Sequence, residues 1–69
     1  MDFIKQELIK KRLEINYKIK EFTKLLKEHE DNIELKKVFI VFIYDLRKER
    51  KILNYSILNY DFIKYLFHI

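Results

Sequence analysis

The chain has 69 residues, a formal net charge of +4, and no glycine, proline or cysteine. Average usage would place about eight glycines and prolines in a chain of this length. Their absence excludes a glycine-rich phosphate-binding loop and disfavours tight β-hairpins, and the lack of cysteine excludes disulfides and thiolate zinc sites. We expect residues 1–69 to form one small domain, whose core supplies no more than ~3–5 kcal/mol without a partner.

The charge and hydropathy patterns predict a cytoplasmic protein without a membrane span. The longest uninterrupted apolar stretch is Val38 to Tyr44, far short of the ~20 residues that cross a bilayer. The first residues, Met1 to Lys5, do not resemble a secretory signal peptide. The mild positive charge favours polyanions but does not identify a nucleic-acid-binding protein.

Residues 2–31 have the spacing of one long helix with two apolar strips. The second strip, Ile9, Leu13 and Tyr17, is the weaker one. A helix with two apolar strips packs against two neighbours, so this strip predicts a partner interface. Asp31 and Glu34 have capping-box spacing, which places a turn before a new helical segment. The main strip contains Ile4, Leu8, Ile15, Ile19, Phe22 and Leu26.

Residues 37–44 favour a β-strand, because every residue from Val38 to Tyr44 is β-branched or aromatic. A lone strand cannot satisfy its own backbone groups, so it would pair in a dimer or on the edge of another protein's sheet. We assign Val38, Ile40 and Phe42 to that interface. The alternative is a buried helix, which periodicity cannot exclude in so short a stretch.

The segment from Asp45 to Lys51 is predicted to be a charged connector, followed by a helix over residues 54–67. Its basic residues, Arg47, Lys48, Arg50 and Lys51, could contact phosphates of a nucleic acid, or they could simply be solvated. In the last helix, one face is apolar and the opposite stripe holds Asn54, Asp61, Lys64 and His68. The apolar face contains Ile52, Tyr55, Leu58, Phe62, Tyr65 and Leu66.

No catalytic or metal site can be assembled from the sequence. The acidic neighbours of His29 point in different directions on a helix and do not converge on a cation. A Ser–His–Asp set, a nucleophilic cysteine and a P-loop are all missing. We therefore predict no cofactor and no metal, and lean against an enzyme.

From Ile19 onward the order of features resembles the C-terminal part of a PD-(D/E)XK nuclease-like family found around bacterial restriction and phage defence. His29 and Asp31 resemble its His-x-Asp turn, and residues 42–45, Phe-Ile-Tyr-Asp, resemble its strand end. Leu46 stands where that family has proline. The family's catalytic residues lie upstream, so the resemblance implies scaffold rather than catalysis, and it also favours a strand at 38–44. The later matching positions are Ile52, Asn54, Leu58, Asp61 and Phe62.

The sequence thus predicts an α+β fold, helix–strand–helix, with an all-α helical hairpin or three-helix bundle as the alternative. The first function hypothesis is a small, non-catalytic, nuclease-like or DNA-metabolism-associated protein that acts by association with a partner protein or nucleic acid. The second is a helical protein–protein interaction module, such as an inhibitor, an antitoxin-like protein or an assembly subunit. Both imply a homo-oligomer or a larger protein partner.

Overall fold

The computed structural model describes residues 3–67 as two α-helices joined by a four-residue turn. Helix α1 is Phe3–Glu28 and helix α2 is Ile33–Phe67, and the described part of the chain contains no strand. The protein is therefore an all-α helical hairpin. The predicted helix–strand–helix arrangement is wrong, and the alternative of a helical hairpin is confirmed.

Residues 37–44, predicted as a strand, lie within α2, as do the supposed connector and the helix placed at 54–67. A single strand here would leave its backbone groups unpaired, whereas a helix satisfies them internally. No glycine or proline interrupts residues 33–67, so nothing local stops the helix. The need to pair backbone groups outweighs the β-propensity of the side chains.

The turn between the helices is built by hydrogen bonds from both helix ends. The His29 amide donates to the Leu25 carbonyl (3.1 Å), and the Asn32 amide donates to the His29 carbonyl (3.1 Å). Asn32 then caps α2, because its Oδ1 accepts from the Leu35 amide at 3.1 Å. The cap is thus Asn32 rather than Asp31, and α1 ends at Glu28 rather than at residue 31.

The helices pack along one apolar seam. Its positions in each helix alternate in steps of three and four residues, as in antiparallel coiled coils. On α1 the seam residues Ile15 and Ile19 are buried, and on α2 Ile43 and Leu53 are buried against them. Partly buried hydrophobic side chains extend this cluster: Leu8, Phe22, Leu26 and Leu46.

The seam makes an elongated molecule with a small core. The Cα extents are 57 × 17 × 11 Å and the radius of gyration is 16.2 Å, against about 11 Å for a compact domain of this length. Only five hydrophobic side chains of the described residues are buried, the fifth being Ile57. Two neighbouring helices can enclose one row of side chains and no more.

A polar ladder runs along one flank of the seam. Lys5 Nζ pairs with Asp61 Oδ1 at 2.7 Å. Arg12 Nη1 donates to Asn54 Oδ1 at 3.1 Å, and Arg50 Nη1 donates to Asn16 Oδ1 at 2.9 Å. The rungs step by seven and then four residues on both helices. This matching fixes one register, because a shift of one helix breaks all three contacts together.

Two of the ladder's cations occupy positions of the seam itself. Arg12 lies between Leu8 and Ile15 in the seam spacing, and Arg50 lies between Leu46 and Leu53; both arginines are half-buried. Their aliphatic stems cover apolar surface while the guanidinium groups reach the asparagines at the rim. Polar residues at seam positions lower stability but select one pairing of the helices.

The size of the core makes stability sensitive to single seam residues. Ile19→Ala removes a side chain that is 9% exposed, and such truncations cost about 2–5 kcal/mol. Urea denaturation followed by far-UV circular dichroism measures the loss. Leu13→Ala, at a position 61% exposed on the same helix, is the control and should change stability by about 0.5 kcal/mol or less. Equal losses for the two variants would contradict the assignment of the seam.

The ladder predicts a measurable coupling between Arg50 and Asn16. A double-mutant cycle with Arg50→Ala and Asn16→Ala should give about 0.5–1 kcal/mol, because the bond involves a cation but lies at an exposed site. The control cycle combines Asn16→Ala with Asp61→Ala, which lie several turns apart and should be additive. Coupling indistinguishable from that of the control would show that this contact does not help to set the register.

Candidate interaction surface

Helix α2 carries most of the exposed apolar surface. Eighteen large hydrophobic side chains are exposed in the part of the chain that the structure describes, and fourteen of them belong to α2. A surface helix of a globular protein is apolar on one side only, whereas a helix that is apolar all round is normally buried. The α2 helix packs against α1 on one side and faces solvent on the other. It therefore carries more apolar side chains than the hairpin can bury.

Six exposed apolar side chains in the C-terminal half of α2 form an outer patch on the side away from α1. Their exposure ranges from 53% for Leu66 to 67% for Tyr65. Apart from the adjacent pair at its end, they recur every three or four residues, as the seam residues do. The outer patch consists of Ile52, Tyr55, Leu58, Phe62, Tyr65 and Leu66.

No charged residue lies on the outer patch. Between residues 52 and 66 the only charged residues are Asp61 and Lys64. Asp61 belongs to the polar ladder on the flank that faces α1. Lys64 continues the seam spacing beyond Ile57 and Tyr60, on the side of α2 opposite the patch. The patch is therefore an uncharged surface about four helical turns long.

The predicted interface residues of α1 form an exposed strip of modest size. Ile9, Leu13 and Tyr17 follow one another at intervals of four residues, so they lie along one ridge. Leu13 and Tyr17 are exposed, while Ile9 is half-buried beside the seam. In the sequence, the three residues are flanked by lysines at positions 10, 11, 18 and 20. The larger second apolar surface therefore belongs to α2 rather than α1.

The predicted interface residues of α2 diverge because the segment is helical. Val38, Ile40 and Phe42 would share one face of a strand, but steps of two residues rotate around a helix. Phe42 packs its ring 5.3 Å from that of Phe22 on one flank of the hairpin, and Ile40 lines a groove with Thr23 on the other. All three remain more than a third exposed, but only Val38 and Phe42 line a common groove, so the three do not form one surface.

The basic cluster is divided between the seam and the surface. Arg50 is half-buried and bonded to Asn16. Arg47, Lys48 and Lys51 are exposed, and the two lysines lie just before the outer patch on the same side of α2. They separate the patch from the apolar residues near Val41. The helix thus presents three of the four cations to solvent, and their role in binding phosphates stays a prediction.

Three of the residues that resemble the nuclease-like family make contacts within the hairpin, namely His29, Asn54 and Asp61. Ile52, Leu58 and Phe62 belong instead to the exposed outer patch. The His29 ring lies 6.0 Å from that of Phe39, near the turn. Asn54 and Asp61 hold α1 through the polar ladder. His68, which was predicted to lie on the same helix stripe as Asn54 and Asp61, is outside the described residues. Within residues 3–67, no three His, Asp or Glu side chains are grouped to hold a metal ion. In the same part of the chain, neither helix is apolar enough over its length to span a membrane.

No protein-family model matches this chain, and neither a curated protein nor a solved structure is detectably similar to it. The resemblance to nuclease-like proteins therefore stays a prediction.

The orientation of α2 is what sequence reasoning missed. The sequence grouped Ile52 with Tyr55 and Leu58 as one apolar face, but α2 packs on α1 through Leu53 and Ile57, and that face points outward. A signal was present: the steps of three and four continue through Phe39, Ile43, Leu46, Arg50, Leu53 and Ile57. Reading residues 38–44 as a strand divided this repeat and hid it.

Proposed function

We propose that this chain is a helical protein–protein interaction module, which acts by presenting the outer side of α2 to another polypeptide. The observation that carries the proposal is the imbalance, among residues 3–66, between five buried and eighteen exposed large hydrophobic side chains. Soluble monomers rarely expose a contiguous apolar patch larger than a few hundred Å², and larger ones mark interaction sites.

The marginal core supports the same proposal. Domains near 60 residues bury only about 60% of their surface, and this hairpin adds no disulfide to compensate. A partner that binds only the folded hairpin would stabilise it by mass action. Association would therefore contribute to the stability of the fold as well as to its activity.

The proposal predicts that the pure chain either self-associates or, as a monomer, binds a hydrophobic fluorescent dye. Sedimentation velocity and dye fluorescence, measured on the same sample, test this prediction. Tyr55→Lys with Phe62→Lys should abolish the association or the dye signal, because both changes put charge on the outer patch. Leu13→Lys with Tyr17→Lys is the matched control on α1. A monomer that binds no dye would contradict the proposal.

Association with nucleic acid is a second candidate, which the three exposed cations on one stretch of α2 favour. Three phosphate contacts would weaken binding about 40-fold between 50 and 200 mM salt. Electrophoretic mobility shifts with DNA and RNA at those two concentrations measure this dependence. The triple variant Arg47→Gln, Lys48→Gln and Lys51→Gln should lose the salt-sensitive binding, while Lys20→Gln, Lys24→Gln and Lys27→Gln on α1 serve as the control. Absence of any salt-sensitive complex would remove this candidate.

A further inference from the structure

We propose that the outer patch packs against the outer patch of a second copy of this chain, in an antiparallel dimer with its two-fold axis at Leu58. This inference rests on the proposed function and names the partner. In the dimer the two α2 helices are central and each α1 lies outside, so the four helices form one layer in the order α1, α2, α2, α1.

The exposed area of the hairpin is sufficient for such an interface. The chain exposes 6062 Å², whereas a compact protein of 8.7 kDa exposes about 4,700 Å². The excess of roughly 1,300 Å² is larger than the ~800 Å² that each partner buries in an interface of standard size. The exposed surface of the monomer is therefore large enough for an interface of standard size with a second copy.

The outer patch supplies the kind of surface that such an interface buries. Tyr55, Phe62 and Tyr65 are 59%, 62% and 67% exposed, and aromatic side chains bury about 150–250 Å² each. These three rings alone therefore leave several hundred Å² uncovered. Aromatic residues are enriched in the buried centres of interfaces, where they contribute most of the affinity.

The spacing of the patch fits another helix. Residues at alternating intervals of three and four present a straight row to a neighbour that crosses at a shallow angle. The seam uses this spacing to bind α1. The outer patch, with intervals of three, three, four and three residues from Ile52 to Tyr65, keeps a similar spacing on the opposite side of α2. A helix with two such rows on opposite sides lies between two helices, and a second α2 provides a row of the same length and spacing.

The charges select an antiparallel arrangement of two copies. Lys48 and Lys51 lie at one end of the patch, so a parallel dimer would place each lysine beside its own equivalent. In an antiparallel dimer centred on Leu58, the two copies of Lys51 are separated by about 20 Å along the helix axis. The patch itself carries no charge, so the approach of two chains of net charge +4 brings no like charges together at its centre.

This arrangement assigns specific contacts across the two-fold axis. Leu58 meets its own equivalent, Tyr55 meets Phe62, and Ile52 meets Tyr65 of the other copy. The Tyr55–Phe62 and Ile52–Tyr65 contacts each occur twice, because the interface is formed by the same surface of both chains. All of these side chains are apolar or aromatic, so none requires a charged partner.

Sedimentation equilibrium of the full chain between about 1 and about 100 µM tests the dimer. We expect a species of twice 8.7 kDa. Leu58→Glu should raise its dissociation constant at least ~100-fold, because the change enters the interface twice. Leu13→Glu, at a similarly exposed position on α1, is the control and should leave it unchanged. Higher salt should tighten the dimer, because it screens the repulsion between two positive chains.

Disulfide trapping tests the geometry independently of any loss of folding, since the chain has no cysteine of its own. Leu58→Cys should oxidise to a covalent dimer, because residues on the axis approach each other. Lys51→Cys should not, because its two copies lie several turns apart. Cross-linking of both variants alike would overturn the antiparallel arrangement.

The outcomes separate this inference from the proposed function. A monomer at ~100 µM that still binds dye through the outer patch would overturn the dimer and leave the interaction module standing. A monomer without dye binding would overturn both. A dimer that Leu58→Glu does not weaken, or a chain that binds neutral lipid vesicles through the patch without self-associating, would also overturn the dimer.

Discussion

The fold depends on one row of aliphatic side chains shared by two helices. Ile15 and Ile19 of α1 are buried against Ile43 and Leu53 of α2, and no second layer of residues protects them. The row exists only if α2 remains helical from Ile33 to Phe67, because only helical spacing brings residues 43, 46 and 53 to the same side. The pairing of the backbone groups in α2, the position of the turn and the exposed apolar surface all depend on this helicity.

The polar ladder explains how so small a core specifies one arrangement. A shift of one helical turn would still place hydrophobic residues at most positions of the aliphatic row. The three ladder contacts do not tolerate it, because Lys5, Arg12 and Arg50 would then lose their acceptors together. Exposed contacts of this kind contribute little stability individually. Their common register makes them selective.

The same helix that forms the core also creates the candidate interaction surface. The α2 helix places Leu53 and Ile57 against α1, and Tyr55 and Leu58, on the opposite side of the helix, consequently face solvent. A two-helix hairpin has no third element to cover them. The uncovered row is the physical basis for the proposed interaction module and for the dimer inferred from it.

The sequence by itself determined a chain of long regular elements, because it has no residue that breaks helices, and it located α1 and the turn within a few residues. It also marked the residues of the outer patch as one apolar face. Tertiary structure alone decided that residues 38–44 are helical, because propensity favours a strand while the absence of a pairing strand forbids one. It also decided which side of α2 packs against α1. The helix has two apolar rows, and only the row next to the ladder residues contacts α1.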